Sequence, residues 1–182
     1  MEPRLFVILL GGKPPGCTIE QHNVFFGVGT SLEEFYPAIK AFWPAAPKIH
    51  IDAYMIVEQV GDYDITPRKK GEADGVGEDH KLFFVNLGGY HPGVFEEFHK
   101  KLLIVAVDEA AAEAAAEEDS FFEEGIKLHV DDKQALEEFG DDAPLEVGAW
   151  IEPQGFVLCL EKVRSGSSAY PEPVITGYHK VP

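Results

Sequence analysis

The sequence predicts an α+β fold: a tandem duplication of a ββαβ unit with pseudo-twofold symmetry between the copies, followed by C-terminal β-strands. Three observations predict it. The run Leu82-Phe-Phe-Val-Asn-Leu-Gly88-Gly89-Tyr-His-Pro92-Gly93 repeats Leu5-Phe-Val-Ile-Leu-Leu-Gly11-Gly12-Lys-Pro-Pro15-Gly16 at an offset of 77. At that same offset Glu97 falls on Glu20 and His99 on His22. Beyond a helical stretch the offset becomes 79, and Lys127-Leu-His129-Val-Asp131 aligns with Lys48-Ile-His50-Ile-Asp52; Glu137, Gly140 and Asp141 then fall on Glu58, Gly61 and Asp62. A two-residue insertion near the helix accounts for the change. So many glycines, histidines and acids aligned in order mark an internal repeat.

The elements follow in order. Leu5 to Leu10 is a continuous apolar run, as expected of a strand buried on both faces. Gly11 to Gly16 breaks it with strong turn residues. A second strand is expected from about Asn23 to Thr30. Ser31-Leu-Glu-Glu34 reads as a capping box opening a helix to about Trp43, with Phe35, Ile39, Phe42 and Trp43 toward a core. Pro37 predicts a kink or restart inside that helix, and Pro44 and Pro47 end it. A third strand is expected from Lys48 to about Val60. Gly61 to His80 is polar and charged and reads as a connector, with a short strand at Tyr63 to Ile65. The second copy supplies an Ala-rich helix from Glu109 to about Phe122. In the tail, Val147 to Ile151, Phe156 to Leu160 and Val174 to Lys180 read as strands. The organisation expected is a first repeat over 1–66, a connector over 67–81, a second repeat over 82–144 and a β extension over 145–182.

Charge narrows the partners. Fifteen Lys and Arg face 32 Asp and Glu, a net charge of −17. Such a surface repels nucleic acid and anionic membranes unless a basic patch interrupts it. The only dense basic run, Arg68-Lys69-Lys70, leads directly into acidic residues. The first apolar run is too short for a signal peptide or a spanning helix, so a cytoplasmic setting is expected. Cys17 and Cys159 have neither a redox nor a zinc spacing. Cys159 lies in an apolar run and is expected in a core, and no neighbour of Cys17 marks it as an activated nucleophile. Strand edges in a small two-copy protein need cover, which a homodimer would supply.

The residues that could carry chemistry are Glu20, His22, His50 and Asp52 and their duplicates Glu97, His99, His129 and Asp131. Residues two apart on a strand share a face, so His50 should neighbour Asp52 and His129 should neighbour Asp131. Imidazoles with carboxylates suit a borderline divalent metal or general acid–base work. The competing role is structural: each His fixes the long Gly-Gly hairpin by bonding a carbonyl or a carboxylate. That role has the stronger prior, because both copies must fold whatever they do. Gly11, Gly12, Gly16 and their duplicates Gly88, Gly89, Gly93 could present backbone amides to an anion. No Lys-Ser/Thr pair follows them, so they form no P-loop, and positive φ in a tight crossing is the simpler role. Gly27 and Gly29 lack the third glycine of a dinucleotide fingerprint.

Leu-Gly-Gly, two residues, Pro-Gly, then Glu-x-His, then His-x-Asp after a helix: this pattern resembles the bacterial domain-of-unknown-function family numbered 1543, over about 5–65 and 82–144. Gly177-Tyr178 is similar to that family too. The first copy departs from the second in having Lys13 and Pro14 where the second has Tyr90 and His91. The resemblance implies duplication and a bacterial cytosolic setting, and no activity, cofactor or ligand. No motif specifies a nucleophile, a cofactor loop or an open metal triad. The function expected is therefore a module that binds a small ligand or a protein, with a metal-assisted or acid–base enzyme built on the Glu/His/Asp sets as the alternative.

Overall fold

The structure is a computed structural model that describes residues 2–72, 79–119, 143–163 and 174–182. His129 and Asp131 lie outside the described residues, as do Glu137, Gly140, Asp141 and Phe122. The chain divides into two compact units, residues 1–76 with 149–182, and residues 77–148.

In the first unit, β1 (Arg4–Gly12) and β2 (Gln21–Gly29) form an antiparallel hairpin, and β3 (Ile49–Val57) pairs antiparallel with the other edge of β1. This central position explains the unbroken apolar run of β1. Phe6, Ile8 and Leu10 point to one face, into a core completed by Phe25, Leu32, Phe35, Ile39 and Ile51. Leu5 and Val7 are buried on the opposite face. A C-terminal strand, β10 (Ile175–Lys180), adds to β3, so the sheet order is β10-β3-β1-β2. The third strand is shorter than expected. It ends at Val57, and after Glu58 the chain turns into a second sheet through β4 (Gln59–Val60) and β5 (Tyr63–Lys69). The Glu58 carbonyl accepts from the Ile65 amide at this junction. β5 is also longer than the short strand expected there, because β9 (Phe156–Lys162) pairs with its whole length.

The helix after β2 is divided as Pro37 requires: a 3₁₀ turn, Leu32–Phe35, precedes α1 (Tyr36–Phe42), which begins afresh with the proline in its first turn. The capping box takes a different form. Ser31 makes no side-chain cap bond. Glu34 reaches back one residue further, accepting from the Thr30 amide at 3.3 Å and from the Thr30 hydroxyl. These bonds hold the Glu34 carboxyl below its ordinary range. Phe35 packs edge-on to Phe6 at 5.1 Å and against Phe25 at 6.0 Å. A Cβ at Gly27 or Gly29 would come within 2.6 or 2.8 Å of the Phe35 ring. Those glycines make room for a side chain rather than for a nucleotide.

In the second unit, β6 (Lys81–Tyr90) and β7 (Glu97–Ala106) form the matching hairpin. Its register is that of the first, shifted by 77: Leu82↔Val105 and Gly88↔His99 against Leu5↔Val28 and Gly11↔His22. α2 (Glu109–Glu117) follows, with Asp108 as N-cap accepting from the Ala111 amide at 2.8 Å. A short strand, β8 (Leu145–Glu146), pairs with Phe84 and Phe83 of β6. In the first unit the corresponding positions, Val7 and Phe6, pair with Met55 and Ile56 of β3.

Val147–Ile151 is a helix, α3, and not the strand expected. Val147 and Ile151 are both fully buried. Residues four apart share a face of a strand as well as of a helix, so the pattern of this five-residue segment suits both readings. A 3₁₀ turn, Glu152–Gln154, continues it to Gly155, whose φ of 87° closes the turn in the left-handed region. Gln154 then covers the open edge of β2: its amide donates to the Phe26 carbonyl at 2.9 Å, and its carbonyl accepts from the Val28 amide at 3.2 Å. Two backbone groups of an edge strand are thereby satisfied without a further strand.

Candidate functional site

The site is built around a glycine in the middle strand. Gly11 of β1 stands opposite His22 of β2 and His50 of β3. Residues directly opposite one another in antiparallel strands project to the same face. Its neighbour Gly12 faces the helix side, where a Cβ would approach Ala46 at 3.0 Å and Trp43 at 3.3 Å. Gly11 therefore opens to the face away from α1, and the two histidines flank it there. A Cβ on Gly11 would fall 2.4 Å from His50 Nε2 and 2.5 Å from Asp52 Oδ2. Those side chains occupy the space that the missing methyl leaves.

Four predicted residues converge. His50 Nε2 lies 3.1 Å from Glu20 Oε1 and 3.1 Å from Asp52 Oδ1, and His22 Nε2 lies 3.4 Å from Asp52 Oδ2. The order is acid, imidazole, acid, imidazole. Exposure varies along it: the His50 side chain is 9% exposed and Asp52 28%, while Glu20 and His22 at the ends are 44% and 50% exposed. The middle is held by the fold and the ends meet solvent. Asp52 Oδ2 is buried and accepts no hydrogen bond. With neutral imidazoles the set carries two negative charges. Among the described residues, no group of three or more His, Cys, Asp or Glu stands ready to hold a metal ion. The four side chains lie against one another instead.

Asp52 reaches this position through an irregularity in the sheet. The β1–β3 register shifts between Leu9, opposite Ala53, and Leu10, opposite Ile51, which leaves Asp52 as the extra residue of a bulge. The β3–β10 register shifts at the same level: Thr176 stands opposite Ala53 and His179 opposite Ile51, so Gly177 and Tyr178 together face Asp52. Gly177 has a φ of 154°, and Tyr178 stacks on the His50 ring with centroids 4.2 Å apart and planes at 29°. In the sequence Tyr178 stands out only as part of the Gly177-Tyr178 pair. Nothing in its local sequence ties it to His50.

The second unit carries the first half of the same set. Gly88 stands opposite His99, and His99 Nε2 lies 3.6 Å from Glu97 Oε2. A Cβ on Gly88 would meet Glu97 Oε1 at 3.3 Å and His99 no nearer than 3.6 Å, so this glycine is far less crowded than Gly11.

The glycines divide by role. Gly16 and Gly93 have φ of 90° and 84°. Each sits before the closing residue of a tight turn, Cys17 amide to Pro14 carbonyl at 3.2 Å and Val94 amide to His91 carbonyl at 3.1 Å. Proline then glycine at the two central positions is the type II pattern. Gly11, Gly12, Gly88 and Gly89 have no positive φ and lie in strands, which corrects the expectation of a strained crossing there. Their amides belong to strands rather than to an anion-binding loop. Cys159 is buried, as its apolar run predicts, and Cys17 is a partly exposed free thiol on the first turn.

Residues 17–66 match the family described as Domain of Unknown Function (DUF1543). That segment contains all four members of the cluster. Among solved structures, the chain is similar to the one titled "Crystal structure of a protein Il1583 from Idiomarina loihiensis", with 26% identity, a TM-score of 0.68, and coverage of 100% of this chain and 99% of that one. No curated protein sequence matches the chain. No helix among the described residues is long and apolar enough to cross a membrane.

Proposed function

We propose that the chain is a ligand-binding module whose working site is the cluster Glu20, His22, His50 and Asp52, and that its ligand is a small cation or a small molecule rich in hydrogen-bond donors. The observation that carries this reading is the convergence of two carboxylates and two imidazoles over Gly11. A purely structural histidine needs one partner, whereas His50 has two carboxylates on a single nitrogen. Asp52 Oδ2 adds a buried acceptor without a donor, which is costly unless something supplies one. Acceptors and negative charge dominate, so the complementary ligand brings donors or positive charge.

The proposal extends to the second unit. The shared hairpin register, the paired type II turns and the Gly88–His99–Glu97 arrangement support an origin of both units in one duplicated element. A second reading, acid–base catalysis, draws on the same Asp52–His50 contact. An imidazole held by a carboxylate at 3.1 Å is the arrangement a general base uses.

A thermal-shift panel separates these readings. Small mono- and diamines and guanidinium compounds are compared with matched carboxylates. A ligand that binds only the folded state raises the melting temperature. The cationic set should stabilise the wild type and should lose its effect in Asp52→Asn. Equal response to anions and cations, or an unchanged response in Asp52→Asn, refutes the site.

A further inference from the structure

We infer that Tyr178, on the C-terminal strand, is a positioning residue of this site: its ring holds the His50 imidazole so that Nε2 stays shared between Glu20 and Asp52. The inference rests on the cluster being the working site. It adds that β10, outside the segment matched to the family, completes that site.

Three observations carry it. The stack is close and nearly parallel, 4.2 Å and 29°. Tyr178 itself remains 66% exposed, so its burial is not what places it there. The backbone is specially shaped to deliver it. Gly177 adopts a φ of 154°, which side-chain-bearing residues rarely reach, and the register of β10 against β3 shifts by one residue at this pair. Bulges re-aim side chains in this way beside functional sites. The level of the shift is Asp52, the residue that the neighbouring bulge in β3 also displaces. Two irregularities in adjacent ladders thus bring Asp52 and Tyr178 to one imidazole.

Stacking acts on the ring plane. An imidazole free to rotate about its side-chain bonds can give its Nε2 proton to water or to either carboxylate in turn. One face covered by a phenol ring restricts the rotation and shields the proton. The groups facing His50 are Glu20, Asp52 and Tyr178, with His22 beyond Asp52 and Lys180 opposite it in the strand pairing.

Imidazole nitrogen and proton NMR of selectively labelled histidine tests this. The wild type should show a single Nε2-protonated form of His50, with its ring proton in slow exchange and visible downfield. Tyr178→Phe keeps the ring and should keep the signal. Tyr178→Ala should lose it, and so should Gly177→Ala, which alters the bulge without touching the phenol. Backbone amide spectra establish that each variant is folded. If Tyr178→Ala does not fold, Tyr178→Leu, with apolar cover and no ring, is read in its place. Persistence of the signal without the ring, its loss in Tyr178→Phe, or its absence from the wild type overturns the inference. The ligand panel is read separately on the wild type, so failure of the stack leaves the binding result standing on its own.

Discussion

The two hairpins, β1–β2 and β6–β7, share a register, a turn and a glycine opposite a histidine, yet the helices behind them differ sharply. At the offset of 77, Phe35 and Ile39 of the first unit become Ala112 and Ala116 of the second, and all four are buried. Val24, on β2, becomes Lys101, on β7, where burial pushes the amine below its ordinary range. Among the described residues, the first unit gathers aromatic and branched side chains against its helix, while the second gathers Phe83, Ala106 and Ala112 with Ile104 and Ala111. Hairpin register is thus the same whether the matching helix positions carry Phe35 and Ile39 or Ala112 and Ala116. Local turn chemistry sets it, and the helix contributes energy rather than register.

The largest expected effect tests that division of labour. Ile39→Ala gives the first unit the residue the second already has, and a large-to-small change at a fully buried site should cost about 2–5 kcal/mol. Ala116→Gly, the corresponding truncation in α2, should cost only about 1 kcal/mol, mainly as lost helix propensity. Urea unfolding gives both numbers. Near-equal costs would mean that α1 does not anchor the first core.

Next comes the crowding at the two strand glycines. Gly11→Ala drives a methyl into His50 and Asp52 and should destabilise by about 1–3 kcal/mol, as overpacking does. Gly88→Ala meets only the ends of flexible side chains and should stay within about 0.5 kcal/mol of wild type. If the two substitutions behave alike, the first site is no more tightly assembled than its counterpart.

The turns should behave identically where the cores do not. Gly16→Ala and Gly93→Ala each force a side chain into the left-handed region, at about 1–2 kcal/mol. A marked inequality would show that the turns have diverged despite their common hydrogen bond.

The smallest effect is a titration. Thr30 holds the Glu34 carboxyl below its ordinary range in the folded state. A depressed folded value means stability present above the unfolded value and lost as pH falls through the folded one. The contribution should therefore be complete at neutral pH and fade only in acid. Carbon NMR of the Glu34 carboxyl should show a low midpoint that rises toward the usual glutamate range in Thr30→Val, which removes the hydroxyl and keeps the amide bond. An unchanged midpoint would remove Thr30 as the cause.

Much of this was legible because it is local or repeated. The hairpins announce themselves through Gly-Gly and Pro-Gly, and recurrence of the same residue types at a nearly constant offset singled out Glu20, His22, His50 and Asp52. Pro37 divides the helix by the steric rule that applies to any proline. The misreadings arose where neighbours decide. Val147–Ile151 is too short for its period to separate helix from strand, and burial of both ends suits either. Glu34 bonds Thr30, and the chain enters the helix through a 3₁₀ turn in which Ser31 makes no side-chain cap bond.

What the sequence determines by itself is the alternation of apolar and polar residues, the positions that must be glycine for a turn, and the chemical types available to a site. These follow from dihedral preferences and spacing within a few residues. Tertiary structure alone decided that Gly11 opens to the face away from α1, that Asp52 rides a bulge, that Gln154 closes the edge of β2, and that Tyr178 covers His50. Each of these is a pairing between segments far apart in the chain. Register between distant strands is set by the summed packing of whole faces, and a one-residue shift redirects a side chain without leaving any mark in the sequence around it.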